Sequence, residues 1–240
     1  MPSSRERKIA FVLAGGLGTR LRPIIDNLPK VLAPIEGRPF ITYLLDQLDK
    51  AKFNRAVLCT GYLGEVVQAT IGENYRGLMI QYSQEKTKMG TGGAIRLAYD
   101  NFKNGSLDNI LAINGDSFCR EDLNKLWINH IRNKAAGTIL LKKMNNIDRY
   151  GSVSVDRLGN ITSFIEKKGK KEKGLINTGI YVLNKKIIQS INVGGEVSLE
   201  HDIFPKWLGN GLLGIETGAP FIDIGTPSSF KEAQQILKDK

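Results

Sequence analysis

The residues best suited to chemistry stand near the N-terminus, in the run Leu13-Ala14-Gly15-Gly16-Leu17-Gly18-Thr19-Arg20-Leu21, with Pro29 and Lys30 beyond it. Glycines after a strand let backbone N–H groups approach a polyphosphate closely and point at its oxygens, forming an anion nest. Arg20 and Lys30 then supply fixed positive charge where negative charge builds during transfer. No Gly-Lys-Ser/Thr follows, so this is not a Walker loop, and the third glycine of the dinucleotide fingerprint is absent. A glycine turn carrying solvated basic residues is the bland alternative. Thr19-Arg20-Leu21 followed by Pro29-Lys30 weighs against it, because the pattern is far more specific than a lone glycine pair.

Other chemistries have little to stand on. Cys59 and Cys119 lie far apart, each in or beside an apolar run, which suits reduced, half-buried thiols in a reducing compartment. There is no CxxC, and His130 and His201 are too isolated for a zinc ligand set, so both are expected on the surface. The net charge of +10 fits either nucleic acid or small polyanions. Arg20, Arg22 and Lys30 flank the glycine turn, the Lys167 to Lys173 run reads as a solvated loop, and no nucleic-acid-binding signature accompanies them. Small anionic substrates are therefore the expectation, with no nucleic-acid and no membrane partner. The chain has no apolar run long enough for a span and no signal core, so a soluble, cytoplasmic protein is expected.

Elements that could position the turn follow from periodicity. A strand is predicted at 8–14, then a helix over 40–52, in which Ile41, Leu44, Leu45 and Leu48 share a face. Strands at 56–60, 79–82 and 110–114 alternate with helices at 63–71, 93–102 and 121–132, which argues for a mainly parallel sheet covered on both faces. Ligands of such sheets collect beyond the carboxyl ends of the strands, where the glycine turn and Asp116 fall. From about residue 137 the chain turns β-rich (138–141, 152–155, 161–165, 179–183), with helices near 199–208 and 227–238. The expectation is a single α/β domain of Rossmann-like, mixed, mainly parallel sheet. Its β-rich second part, from about residue 136, is expected to add edge strands and a lid over the first, about 8–135.

The run GGLGTRLRPIIDNLPKVLAP resembles the signature of the sugar nucleotidyltransferase family, with Ile25 where Thr or Ser is usual. The resemblance extends over nearly the whole chain and implies a GT-A-like fold and transfer of a nucleotidyl group from an NTP to a sugar 1-phosphate. It implies that Leu13, Ala14, Gly15, Gly16, Gly18, Thr19, Arg20 and Lys30 bind the nucleotide. YSQEKTKMGTGGA resembles the base-recognition segment, bringing in Glu85, Gly90 and Thr91 and a helix start with free N–H groups; Lys88 and Met89 replace the usual Pro and Leu. Asn114-Gly115-Asp116-Ser117 and Phe221-Ile222-Asp223-Ile224-Gly225-Thr226-Pro227 resemble the two acidic motifs. Asp116 and Asp223 together could hold one Mg²⁺ against substrate oxygens, although either alone would serve equally as a cap or turn residue. Arg149-Tyr150-Gly151, Phe164-Ile165-Glu166-Lys167 and Asn177-Thr178-Gly179-Ile180-Tyr181 resemble the sugar-phosphate segments. They imply roles for Tyr150, Gly151, Glu166, Lys167, Asn177 and Thr178. Glu200, in a predicted helix start, either reaches the sugar or caps the helix.

The implied reaction needs positioning and charge neutralisation more than proton transfer, with Arg20, Lys30 and Asp116 the catalytic candidates. Within the family, EKTKMGTGGAIR, MNNIDRYGSVSV, GLINTGIYVL, SLEHDIFP and FIDIGTP are most similar to guanylyltransferases acting on heptose 1-phosphate in bacterial envelope glycan synthesis (lipopolysaccharide, capsule or S-layer). GTP is then the nucleotide and GDP-heptose the product. Mannose 1-phosphate is the nearest rival, and a silent homologue that binds a nucleotide-sugar is the non-enzymatic one. Whether the chain forms a homo-oligomer is left open.

Overall fold

A strand covered on both faces can be apolar at every position. The computed structural model, which describes residues 8–16, 18, 21, 25, 28–102, 107–165 and 172–238, begins with such a strand. In Ile9–Leu13 (β1), Ala10 and Val12 face one apolar core while Ile9 and Phe11 face another. It is followed by the short hairpin Pro34–Ile35 (β2) and Arg38–Pro39 (β3), then Ile41–Lys50 (α1), Arg55–Thr60 (β4), Gly64–Ile71 (α2), Asn74–Tyr75 (β5), Leu78–Gln84 (β6), Gly90–Asp100 (α3) and Asn109–Asn114 (β7). Ser117–Cys119 (β8), Leu123–Asn133 (α4), Gly137–Met144 (β9), Ser152–Val155 (β10), Ile161–Ile165 (β11) and Gly174–Asn184 (β12) come next. Lys185–Gln189 (α5), Leu212–Thr217 (β13), Phe221–Asp223 (β14) and Pro227–Ile236 (α6) complete the described elements.

The main sheet runs β11-β10-β12-β7-β1-β4-β6-β5, with β9 joining β12 to β13. β7, β1, β4 and β6 are parallel, and β12 runs antiparallel beside β7. The mixed, mainly parallel architecture is thus as expected. One face is covered by α1, α2, α4 and α6, whose Leu44, Val67, Trp127 and Phe230 belong to one core with Val12 and Leu58. The other is covered by α3, α5 and residues 199–207, through Ile95, Ile187 and Phe204. Burial of each such side chain contributes about 1.5–3 kcal/mol. Asp122 caps α4 by accepting from the amides of Asn124 and Lys125, and Thr226 with Ser229 forms a capping box on α6 with Pro227 at its first turn.

Several elements differ from the periodicity reading. Residues 199–208 are not one helix: a π-type turn, Leu199–Ile203, passes into a 3-10 turn, Phe204–Trp207. Pro205 has no N–H to continue an α-helix and its ring obstructs the preceding turn. β12 is also far longer than expected. Its Asn177 pairs with Leu141 and its Tyr181 with Ile139, so residues 178–180 form a bulge inside one continuous strand, of which the expected strand, starting at 179, takes in only the later part. His130 is buried rather than on the surface, hydrogen-bonded to Thr138 Oγ1 (2.9 Å) and Asn109 Oδ1 (3.1 Å), and burial pushes its pKa down to about 4. His201 is exposed. Cys59 and Cys119 are free and fully buried rather than half-buried, and burial pushes both thiols up to about 12, where they are inert. No described helix is long and apolar enough to cross a membrane.

Candidate active site

The glycine turn leaves the carboxyl end of β1, next to the ends of β4 and β7, where parallel strands direct ligands. Ala14 N–H donates to Cys59 O (2.7 Å), and Gly115 N–H donates to Leu13 O (2.9 Å). A Cβ on Gly115 would stand 2.5 Å from that same carbonyl, so only glycine can precede Asp116 here. Lys30 opens a 3-10 turn, Lys30–Leu32, that buries its stem, and its Nζ lies 2.5 Å from Asp116 Oδ2. Glu85 reaches beneath the turn: its Oε2 accepts from Met89 N–H (3.1 Å), and its Oε1 lies 2.8 Å from where a Cβ on Gly15 would be. Burial raises its pKa, and the Met89 amide partly offsets this. Leu13, Gly15, Gly16, Lys30, Glu85, Gly90, Thr91 and Asp116 line one cavity of about 240 Å³. Ala14 is buried beside it, and Gly18 packs on Lys30. Thr19 and Arg20 lie outside the described residues.

The second carboxylate arrives by a short ribbon. β14 pairs antiparallel with β8, setting Asp223 across from Ser117, the neighbour of Asp116, and Ile224 N–H donates to Asp116 O (2.9 Å). Asp223 Oδ1 accepts from Gly225 N–H (2.9 Å) and from Arg149 Nη2 (3.1 Å), while Tyr150 Oη donates to Oδ2. Burial, then the adjacent carboxylate, pushes the Tyr150 phenol well up, so it remains a hydroxyl donor. Asp116 and Asp223 therefore converge on one larger cavity, about 850 Å³, that also meets Tyr150, Gly151, Asn177, Thr178 and Glu200. Among the described residues no group of three or more His, Cys, Asp or Glu side chains converges. Two hard carboxylates facing a polar cavity suit Mg²⁺ completed by substrate oxygens and water, and would not make a protein cage.

Some expected roles change. The first-turn amides of α3 are not all free, because Gly92 and Gly93 donate to Val197 O (2.8 and 3.2 Å). Thr91 Oγ1 donates to Glu200 Oε2 (2.9 Å) and accepts from Leu199 N–H (2.8 Å), so its hydroxyl also ties α3 to the turn that carries Glu200. Thr178 is buried, its hydroxyl spent on Leu140 O (2.8 Å), leaving its backbone for the cavity. Glu200 does not cap: Ser198 Oγ accepts from His201 N–H, while Glu200 accepts from Tyr181 Oη (2.8 Å), Thr91 and Ser198. Ile25 is buried in the core, a hydrophobic use of the position where Thr or Ser is usual. Glu166 and Lys167 lie outside the described residues. Asn114, Arg149 and Tyr181 stand inside the motifs read from the sequence but received no role there; a polar residue closing the apolar strand β7 was the available signal for Asn114.

A family model described as "Nucleotidyl transferase" matches residues 9–240. The chain belongs to the nucleotidyl transferase family. This nucleotidyl transferase is 39% identical to D-glycero-alpha-D-manno-heptose 1-phosphate guanylyltransferase of Aneurinibacillus thermoaerophilus, over 95% of its own length and 98% of the relative's. It is 38% identical to the protein of that name from Campylobacter jejuni, over 92% and 96%. Among solved structures, HddC from Yersinia pseudotuberculosis complexed with GMP-PN superposes with a TM-score of 0.82 at 31% identity, over 96% of this chain and 99% of that one.

Proposed function

We propose that this nucleotidyl transferase moves the guanylyl group of GTP onto D-glycero-α-D-manno-heptose 1-phosphate, giving GDP-heptose and pyrophosphate. The observation that carries the reading is that the cavity at the glycine turn and the cavity at the β12 bulge share Lys30, Asn114 and Asp116, so that two substrates meeting there would react. The names of the two relatives that match along nearly their full length support GTP and heptose. Residues about 8–135 form the nucleotide half, and about 136–240 the sugar-phosphate half of a single domain. GDP-heptose would serve as a glycosyl donor for envelope glycan in the cytoplasm.

A sugar 1-phosphate oxygen forms the new bond to the α-phosphorus as the α–β bridging oxygen leaves with pyrophosphate. The nucleophile is already an anion near neutral pH, so no side chain needs to remove a proton. The glycine-turn amides of Gly15, Gly16 and Gly18 face the triphosphate. Lys30 holds positive charge at the transferred group, and Arg20 does so at the leaving group. Lys167 and Arg149 position the 1-phosphate. Tyr150 and Gly151, with Asn177, the Thr178 backbone, Glu166 and Glu200, accommodate the sugar. Asp116 and Asp223 would hold Mg²⁺, which supplies charge neutralisation at phosphate oxygens.

The test is pyrophosphate release with each NTP crossed against a panel of sugar 1-phosphates. GTP with heptose 1-phosphate is expected to give the highest kcat/KM. Preference for mannose 1-phosphate would overturn the sugar, preference for ATP, CTP or UTP the base, and silence with every pair the activity.

A further inference from the structure

Among the described residues, four side chains hold a buried polar atom without a partner, and one of them, Asn114, stands where the two cavities meet. Asn114 ends β7, in register with Leu13 of β1, and β12 passes on its other side with Ile180 across from Ile113. Its Oδ1 is buried without a hydrogen-bond partner, and its Nδ2 makes no hydrogen bond to a described residue. The orphaned Oδ1 is an acceptor that a phosphate oxygen cannot satisfy; the group open to an anion is the Nδ2 donor, which is not among the buried unpartnered atoms, on a half-buried side chain that borders both cavities. The strand beside it is also shaped around this side chain. Gly179, at φ +77° in the bulge, would place a Cβ 2.5 Å from Nδ2 and 2.7 Å from Cγ, so the bulge keeps room for this amide at a position where an L residue would be strained.

Resting on the function proposed above, we propose that Asn114 is a third group on the reacting phosphates, its amide N–H₂ donating to a phosphoryl oxygen where nucleotide and sugar 1-phosphate meet. Lys30 and Asp116 are the other described side chains common to both cavities, one a cation and the other a carboxylate. Asn114 adds a neutral donor that neither repels an anion nor competes for a metal. Its action is greatest when both phosphates are present, so it acts on turnover more than on nucleotide binding.

Stability and activity should then move in opposite directions. Asn114→Leu, close in volume, removes the orphaned amide. Its melting temperature should equal or exceed that of the unmutated protein, while kcat falls at least 10-fold and the thermal shift given by GTP with Mg²⁺ is kept. Asn114→Asp, which returns the shape but places an anion against phosphate, should not rescue turnover. Unchanged kcat in Asn114→Leu would overturn the proposal, as would a fall of several degrees in its melting temperature, the mark of a structural role. If the unmutated protein turns over no sugar 1-phosphate, the function fails first and independently of Asn114.

Discussion

Both carboxylates that could meet a metal are already balanced by a cation of the chain: Asp116 by Lys30, and Asp223 by Arg149 with the Tyr150 hydroxyl. Each Asp is therefore held in place by contacts that do not need the ion, and a change at either one separates charge from shape. Asp223→Asn keeps an oxygen for the Gly225 amide, and it leaves Arg149 unpaired at a position 40% exposed, where the loss of an ion pair costs about 0–1 kcal/mol. Folding should survive, while loss of the charge should lower turnover about 100-fold or more. Thermal melting and pyrophosphate release at saturating Mg²⁺ check the two halves of this expectation. Near-normal turnover would remove Asp223 from the metal site.

At the level of elements, the strands and helices of the first half were legible because their apolar residues recur at helical or buried-strand spacing; β1, β4, β7 and α1 lie within a residue or two of their expected bounds. The site was legible where a motif combines glycine with charge, as in the turn and in the GD and DIGTP segments. What escaped was set by contacts between distant residues. Nothing local to Asn177-Thr178-Gly179 announces a bulge, and the use of Thr91 depends on Glu200 lying against it. That link also joins α3, which starts at the glycine-turn cavity, to the turn that carries Glu200 into the larger cavity, with Tyr181 of β12 holding the other carboxylate oxygen. Thr91→Val keeps the volume and removes both hydroxyl bonds, at a cost of about 1–3 kcal/mol. Bisubstrate kinetics should show KM rising chiefly for the sugar 1-phosphate. A rise confined to the nucleotide would return Thr91 to the role that the family resemblance implies.

Across the whole molecule the two halves share one sheet: β12 of the second half lies between β7 of the first and β9, so neither can shift without breaking a ladder. The end of that ladder remote from the glycine turn is pinned by a polar cluster in which His130 and Thr138 are buried and Asn109 and Asn184 half-buried. Asn184 Nδ2 donates to Asn109 Oδ1 (3.0 Å), His130 meets the same oxygen through Nε2, and Thr138 of β9 meets Nδ1. With Asn109 Oδ1 accepting, Nε2 carries the imidazole proton and Nδ1 accepts from the Thr138 hydroxyl, a pattern that only neutral imidazole allows. Burial holds the His130 pKa at about 4 against an ordinary value of 6.5, so between those values the unfolded chain binds a proton that the folded one refuses. Its contribution is thus complete above about pH 6.5 and is lost as pH falls towards 4, on the order of 3 kcal/mol in all. Glu85, raised by burial, works in the opposite direction at the acid end, so the measurement must be a difference. His130→Gln should be less stable than the unmutated protein at pH 8, and the gap in urea unfolding free energy should narrow steadily from pH 6.5 to pH 4. A gap that stays constant over that range would mean that His130 titrates in the folded protein as it does in the unfolded chain, and that the cluster joining the two halves does not depend on its neutral form.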